Sequence, residues 1–260
     1  MAPYNSNGFI GNEINAWVDE TRKKYHALFE IAEKINRECY SAIDNVTIDI
    51  NDLRKTLVSC LFARCMELFQ GVYILASHGM SPSSNIILRA LIEAVFVLCA
   101  VIKDDEALEA YVLAGEHERL KITRKLLADK NTTLSDEELD TLKKVESELA
   151  RQNKQLSAQK HSTEDFSKKA HLHSWYLTAY AKTSRAVHTT IRDMDQYLVF
   201  DKNEKLKSIK FIPTDEQSET VLATSCDILL LSFKDFLNLF EKDTSIYDNY
   251  VEQLEKIMRA

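Results

Sequence analysis

Glycine and proline are scarce: 5 and 3 residues in a chain of 260, about 3% where roughly 12% is usual. An all-β sandwich or barrel spends many more turn residues, which excludes it. A Rossmann or P-loop fold needs a glycine-rich phosphate loop, and the only close glycine pair, Gly8 and Gly11, lies in the N-terminal tail. No cysteine pair has CxxC spacing. Cys39, Cys60, Cys65, Cys99 and Cys226 are odd in number and scattered, mostly inside apolar runs. They read as small hydrophobes of a reduced protein. The N-terminal stretch MAPYNSNGFIGNE lacks the basic and apolar regions of a signal peptide. The most apolar stretch, Ile86 to Ile102, carries Arg89 and Glu93 and is too short and too charged for a membrane span. Positive charge is not in excess either. The net charge of -7 argues against a general nucleic-acid-coating surface and leaves room only for a local basic patch. The expectation is a cytoplasmic protein without a membrane partner.

What is present is helical. Hydrophobic residues make up 45% and charged residues 28%, and long stretches repeat at helical spacing. A first helix spans about 12–42. A second starts at Asn51 or Asp52, both good caps, and stops at Gly79, a helix-ending glycine. The turn from Gly79 to Ser83 leads into a third helix, about 84–103, so the two form an antiparallel hairpin. Asp104 and Asp105 open a fourth, to about residue 129. Ser135 and Glu138 have capping-box spacing. The polar helix after them carries a narrow stripe, Leu142, Val145, Leu149 and Leu156, which reads as an exposed arm suited to self-association. Residues 157–169 read as a polar, mobile connector. A helix over 173–198 follows. Leu198-Val199-Phe200 and Ile209-Lys210-Phe211-Ile212 flank a charged turn and suit a short hairpin. Helices at about 215–240 and 245–258 finish the chain. The expected architecture is an all-α, multi-helix bundle, one domain over 1–260. It carries an arm inserted at about 117–165 and a small irregular or β-hairpin insertion near 199–212.

Three helices place polar groups on faces that should be buried. Arg64 and Glu67 stand three apart on the second helix. Arg89 and Glu93 stand four apart on the third. Counting back from a turn near Met80 sets Gly71 level with Ala90 and leaves Arg64 one turn, about 6 Å, beyond Glu93. All four then meet in one network, with Gly71 leaving space opposite Arg89. Buried charges are tolerated when paired. Tyr180, Ser184 and His188, at i, i+4 and i+8, form a polar ladder on an apolar face that also holds Tyr176, Leu177, Val187 and Ile191.

Two readings fit this set. In the functional one, Arg64 and Arg89 bind an anion as forks and Glu67 and Glu93 orient them. His188 transfers a proton near neutral pH, with Tyr180 and Ser184 orienting the ligand. In the other, the four charges are a salt-bridge network that sets helix register. His161, His171 and His173 cluster in sequence, but no Glu-x-x-His pair of a di-iron bundle occurs. No metal and no cofactor are expected. Lys168, Lys169, Arg185 and Arg192 offer a basic rim.

At these residues the chain resembles a family of helical prokaryotic proteins, domain of unknown function 5677. Its pattern reads here as Arg64-Cys-Met-Glu67-Leu-Phe-Gln-Gly71, then Arg89-Ala-Leu-Ile-Glu93, then Tyr180-Ala-Lys-Thr-Ser184-Arg-Ala-Val-His188. The resemblance covers about residues 55–200. It implies a link to prokaryotic defence, including phage defence, or toxin systems. A broader comparison is with HEPN helical bundles, many of them metal-independent ribonucleases. Their mark is an Arg, four to six residues, then a His. The nearest approaches here are Arg185-Ala-Val-His188 and Arg22-Lys-Lys-Tyr-His26. The leading expectation is therefore a ribonuclease-like effector acting on RNA or a small anionic ligand. The alternative is a non-enzymatic module that binds a protein partner or an anion, or associates with itself through the arm.

Overall fold

The computed structural model describes residues 7–129, 133–155, 161–187, 194–209 and 212–259, without the side chains of 152–155 and 185–187. Its elements are α1 (Ile14–Lys24), α2 (His26–Asp44), α3 (Leu53–Ser77), α4 (Ser81–Lys103), α5 (Asp105–Ala128), α6 (Asp136–Gln155) and α7 (Thr163–Lys169). They continue with α8 (His173–Trp175), a π-helical segment (Tyr176–Tyr180), α9 (Ala181–Val187), β1 (Leu198–Phe200), β2 (Leu206–Ile209), α10 (Ser218–Leu239) and α11 (Ser245–Arg259). The protein is all-α with one small antiparallel hairpin.

The core lies between α3, α4 and α10, with α2 packed on α10. On α3 the fully buried residues Val58, Phe62, Cys65, Phe69 and Val72 repeat at three and four, one helical face. Phe62 stacks on Phe236 at 4.3 Å and on Phe233 at 6.1 Å. Leu91, Ile92, Val95 and Phe96 of α4 close the same core. By length and composition α3 and α4 could each cross a membrane, and half of each apolar window is buried inside the protein.

The hairpin turn is built as the sequence indicates. Asp52 caps α3 by accepting from Lys55 N at 2.9 Å. At its other end Gly79 has φ +69, the left-handed conformation that glycine enters without strain. Gly79 N donates to Ala76 O at 3.1 Å and Met80 N to Leu75 O at 2.9 Å, the paired bonds of a Schellman ending. A side chain at 79 would meet Thr214 N and the Trp17 indole nitrogen at 2.8 Å. Gly71 abuts Ile87, whose Cγ2 lies 3.2 Å from where a Cβ would stand. The space it leaves is taken by Ile87, not by Arg89.

Four expectations change. The first helix is two, broken at Tyr25 (φ -109, ψ 33). No breaker residue marks the bend; Lys24 and Tyr25 both donate to Asp215, at 2.5 and 3.3 Å. The stretch taken as a mobile connector contains α7, which starts at a Ser162–Asp165 capping box. Phe166, Ser167 and Ala170 are buried there, and α7 packs on α4. The helix read as continuous over 173–198 passes through a π segment and has given way to strand by Leu198; residues 188–193 lie outside the described residues. Leu177 is exposed, off the inward face assigned to it.

The arm is a pair of helices. Asp104 caps α5 by accepting from Ala107 N at 2.7 Å, and Ala107 and Ala110 bury its first turns. Further along, Leu120 and Thr123 of α5 and Leu149 of α6 are buried, and Arg124 Nε donates to Glu146 at 2.7 Å. The Ser135–Glu138 box forms, with Ser135 N donating to Glu138 at 2.8 Å. Of the α6 stripe, Leu149 faces inward and Val145 outward; Leu156 lies outside the described residues. The hairpin pairs Leu198 with Ile209, Val199 with Ser208 and Phe200 with Leu206.

Candidate functional site

Arg89 and Glu93 project from one side of α4 toward the π segment and α9, both of which pack on it. Four-residue spacing sets them on neighbouring turns, and Arg89 Nε donates to Glu93 Oε1 at 3.2 Å. Tyr180 closes the group. Its hydroxyl accepts from Arg89 Nη2 at 2.9 Å and donates to Glu93 Oε1 at 2.9 Å. The Arg89 guanidinium also lies 5.0 Å from the Tyr180 ring centre, within cation–π range. The side chain of Arg89 is 15% exposed and that of Glu93 39%. The cation is thus covered while the carboxylate reaches solvent, and Tyr180, half-buried, lies between them.

The π segment explains how Tyr180 comes to this place. One extra residue per turn shifts the register of everything after it, and such segments are frequent at functional sites. Tyr180 stacks on Tyr176 at 5.0 Å and Tyr176 on His173 at 5.7 Å, with ring planes within 18° in each case. Phe96 backs Tyr180 at 6.2 Å. Hydroxyls along this segment bond back to carbonyls one turn earlier. Thr178 donates to Ser174 O at 2.7 Å, Thr183 to Ala179 O at 2.9 Å and Ser184 to Tyr180 O at 2.7 Å. The Ser184 proton therefore serves its own helix. That is not the geometry of an activated nucleophile, which needs a base as its partner.

Arg64 and Glu67 are not brought to this site. They sit on the outer face of α3, with side chains 56% and 70% exposed, and bond each other at 2.7 Å. Among the described residues neither bonds Arg89, Glu93 or Tyr180. The single four-charge network expected from the hairpin register does not form. Residues 61, 65, 68 and 72 of α3 are buried; Arg64 and Glu67 lie on the opposite edge of that stripe and point away. His188 and Arg192 lie outside the described residues, as does the side chain of Arg185. The basic rim loses two members: Lys169 is held by Asp104 at 2.8 Å and Glu106 at 3.0 Å, and Lys168 by Glu164 at 2.7 Å.

The sequence did not single out Phe96 or Thr183, and Tyr176 and His173 were noted without being joined to Tyr180. The spacing 173, 176, 180 was a readable signal, because it puts three rings on one helical face. Among the described residues no group of three or more His, Cys, Asp or Glu is placed to hold a metal. Burial pushes the thiols of Cys39, Cys65, Cys99 and Cys226 up, Cys65 to about 12, which keeps them protonated and unreactive. Cys60 alone is exposed. Lys169 holds the Asp104 carboxyl below its ordinary value, and Asp104 in turn raises Lys169.

Residues 55–206, more than half of the chain, match the model of a family described as a family of unknown function (DUF5677). No curated protein and no solved structure matches the chain.

Proposed function

The chain belongs to DUF5677, and from that premise we propose that it is a ribonuclease-like effector of a prokaryotic defence or toxin system, acting on RNA in the cytoplasm. The observation that carries this reading is the half-open seam around Arg89. A guanidinium fork is the group that best matches a phosphate. Here it is mostly covered and fixed by Tyr180 and by Glu93, whose side chain is partly exposed. Charge stabilisation by a preorganised cation is the largest single aid to phosphodiester cleavage. His188, eight residues after Tyr180 in sequence, is the proton carrier, since an imidazole titrates near neutral pH. The stacked rings of Tyr180, Tyr176 and His173 give unpaired bases an aromatic surface, which single-stranded RNA prefers.

The test is His188→Ala, assayed for RNA cleavage and for cell toxicity, with folding checked by circular dichroism. Loss of both activities in a folded variant is expected; full activity overturns the catalytic role.

One observation favours a second reading. Arg89, Glu93 and Tyr180 bond one another, as a structural pin does, so the chain can equally be a non-enzymatic module for a protein partner or a small anion. That reading predicts no turnover in the wild type, and loss of partner binding when residues 134–156 are deleted.

A further inference from the structure

The arm has an apolar face that the rest of the chain leaves open. One side of α5 packs on α6 through Leu120 and Thr123. A second stripe runs along the flank of that side, about a quarter turn around the helix: Val112, Gly115, Arg119, Ile122 and Leu126, of which Leu126 also lines the gap between α5 and α6. Its steps are three, four, three and four, the seam of a coiled coil. Val112 is 39% exposed, Ile122 50% and Leu126 44%. A Cβ built on Gly115 meets nothing within 4 Å. Arg119, in the middle, turns its head aside to Glu116 at 3.1 and 3.2 Å, which leaves its stem along the stripe.

Charge says what covers this face. Glu118 and Lys125 flank the stripe on one side, seven residues apart, and both are exposed. Among the described residues neither has an ion pair. In a parallel pair of α5 helices Glu118 would face Thr123 of the second copy, with nothing gained. In an antiparallel pair Glu118 faces Lys125 of the second copy, and two-fold symmetry makes the same pair twice. The layers fit as well. With the axis between Arg119 and Ile122, Gly115 stands opposite Leu126 of the other copy, so the Leu126 side chain enters the open space. Ile122 lies on the Arg119 stem.

We propose that the chain associates with itself through an antiparallel pairing of α5 helices along Val112, Gly115, Arg119, Ile122 and Leu126, with reciprocal Glu118–Lys125 pairs. This does not depend on the reading of the Arg89 seam. The arm then presents two copies of that seam in fixed relation.

Sedimentation equilibrium on the full chain tests it, with circular dichroism and melting as folding controls. The wild type sediments as a dimer and Ile122→Lys as a folded monomer. Glu118→Lys alone, or Lys125→Glu alone, makes two like-charge contacts across the axis and raises the dimer dissociation constant about tenfold. The double swap, Glu118→Lys with Lys125→Glu, restores wild-type association. Should Ile122→Lys fail to fold, the exchange series decides without it. A monomeric wild type overturns the proposal. So does a dimer that Ile122→Lys leaves intact, which would mean that another surface pairs. A double swap as weak as the single ones overturns the antiparallel register.

Discussion

The outer face of α3 and the inner seam of α4 carry the same chemistry to different ends. Each has an Arg and a Glu one helical turn apart, and each pair forms. Arg64 and Glu67 pair in water, with no further bond among the described residues. Arg89 and Glu93 pair under Tyr180, with a ring stacked on the cation and a hydroxyl bridging both charges. A pair in water gains little, because solvent screens it and two long side chains lose their freedom. A covered pair is costly to break, since removing one partner strands the other. What an Arg–Glu spacing means is therefore set by what lies over it.

The contrast can be broken by substitution, with stability read from urea unfolding. Arg89→Ala leaves Glu93 without its cation, bonded still to the Tyr180 hydroxyl, and costs about 2–3 kcal/mol, discounted because Glu93 is partly solvated. A cost near zero would put the two pairs on one footing. Tyr180→Phe leaves the charges and removes the bridging hydroxyl, for about 1 kcal/mol. The cap and latch at the far end of α4 sharpen the point. Asp104 and Lys169 are covered to about the same degree as the seam, so cover alone should give them pH-dependent weight. Lys169 holds the Asp104 carboxyl below its ordinary 3.8. Its contribution is complete above that value and is lost as pH falls through the lowered one. Lys169 is raised above 10.5, so its share is present below 10.5 and is lost as pH climbs past the raised value. Asp104→Asn keeps an N-cap side chain, removes its acid limb and weakens the alkaline one, which Glu106 still supports; an unchanged acid limb contradicts the latch. The smallest effect belongs to Arg64→Ala, within about 0.5 kcal/mol of the wild type.

Much of the fold could be read from local chemistry. Asp52 and Asp104 cap the helices they precede, the Ser135–Glu138 box forms, and Gly79 ends α3 in the left-handed conformation. These are signals a few residues long, acting on their own backbone. The bend at Tyr25 was not legible: no breaker residue marks it, and the bonds made there run to Asp215, almost two hundred residues away. The Ser162–Asp165 box was legible and was outweighed by the polarity around it. Half of the site was legible as well. Arg89, Glu93 and Tyr180 meet, whereas Arg64 and Glu67 were assigned to the wrong face. In α3 apolar residues occur on most sides, so composition gives little helical phase. The phase shows only in the fully buried set, Val58, Phe62, Cys65, Phe69 and Val72, which excludes positions 64 and 67. No sequence signal announced the π segment, although Tyr180 reaches Arg89 from its last residue.

On the proposed function, the covered pair Arg89–Glu93 binds the phosphate and the exposed pair Arg64–Glu67 does not. The direct measurement compares Arg89→Lys with Arg64→Lys for RNA cleavage, both checked for folding. Lysine keeps the charge and loses the planar fork. Arg89→Lys is expected to lose at least about tenfold in rate while Arg64→Lys matches the wild type. Equal rates in the two variants, or a loss confined to Arg64→Lys, would contradict it.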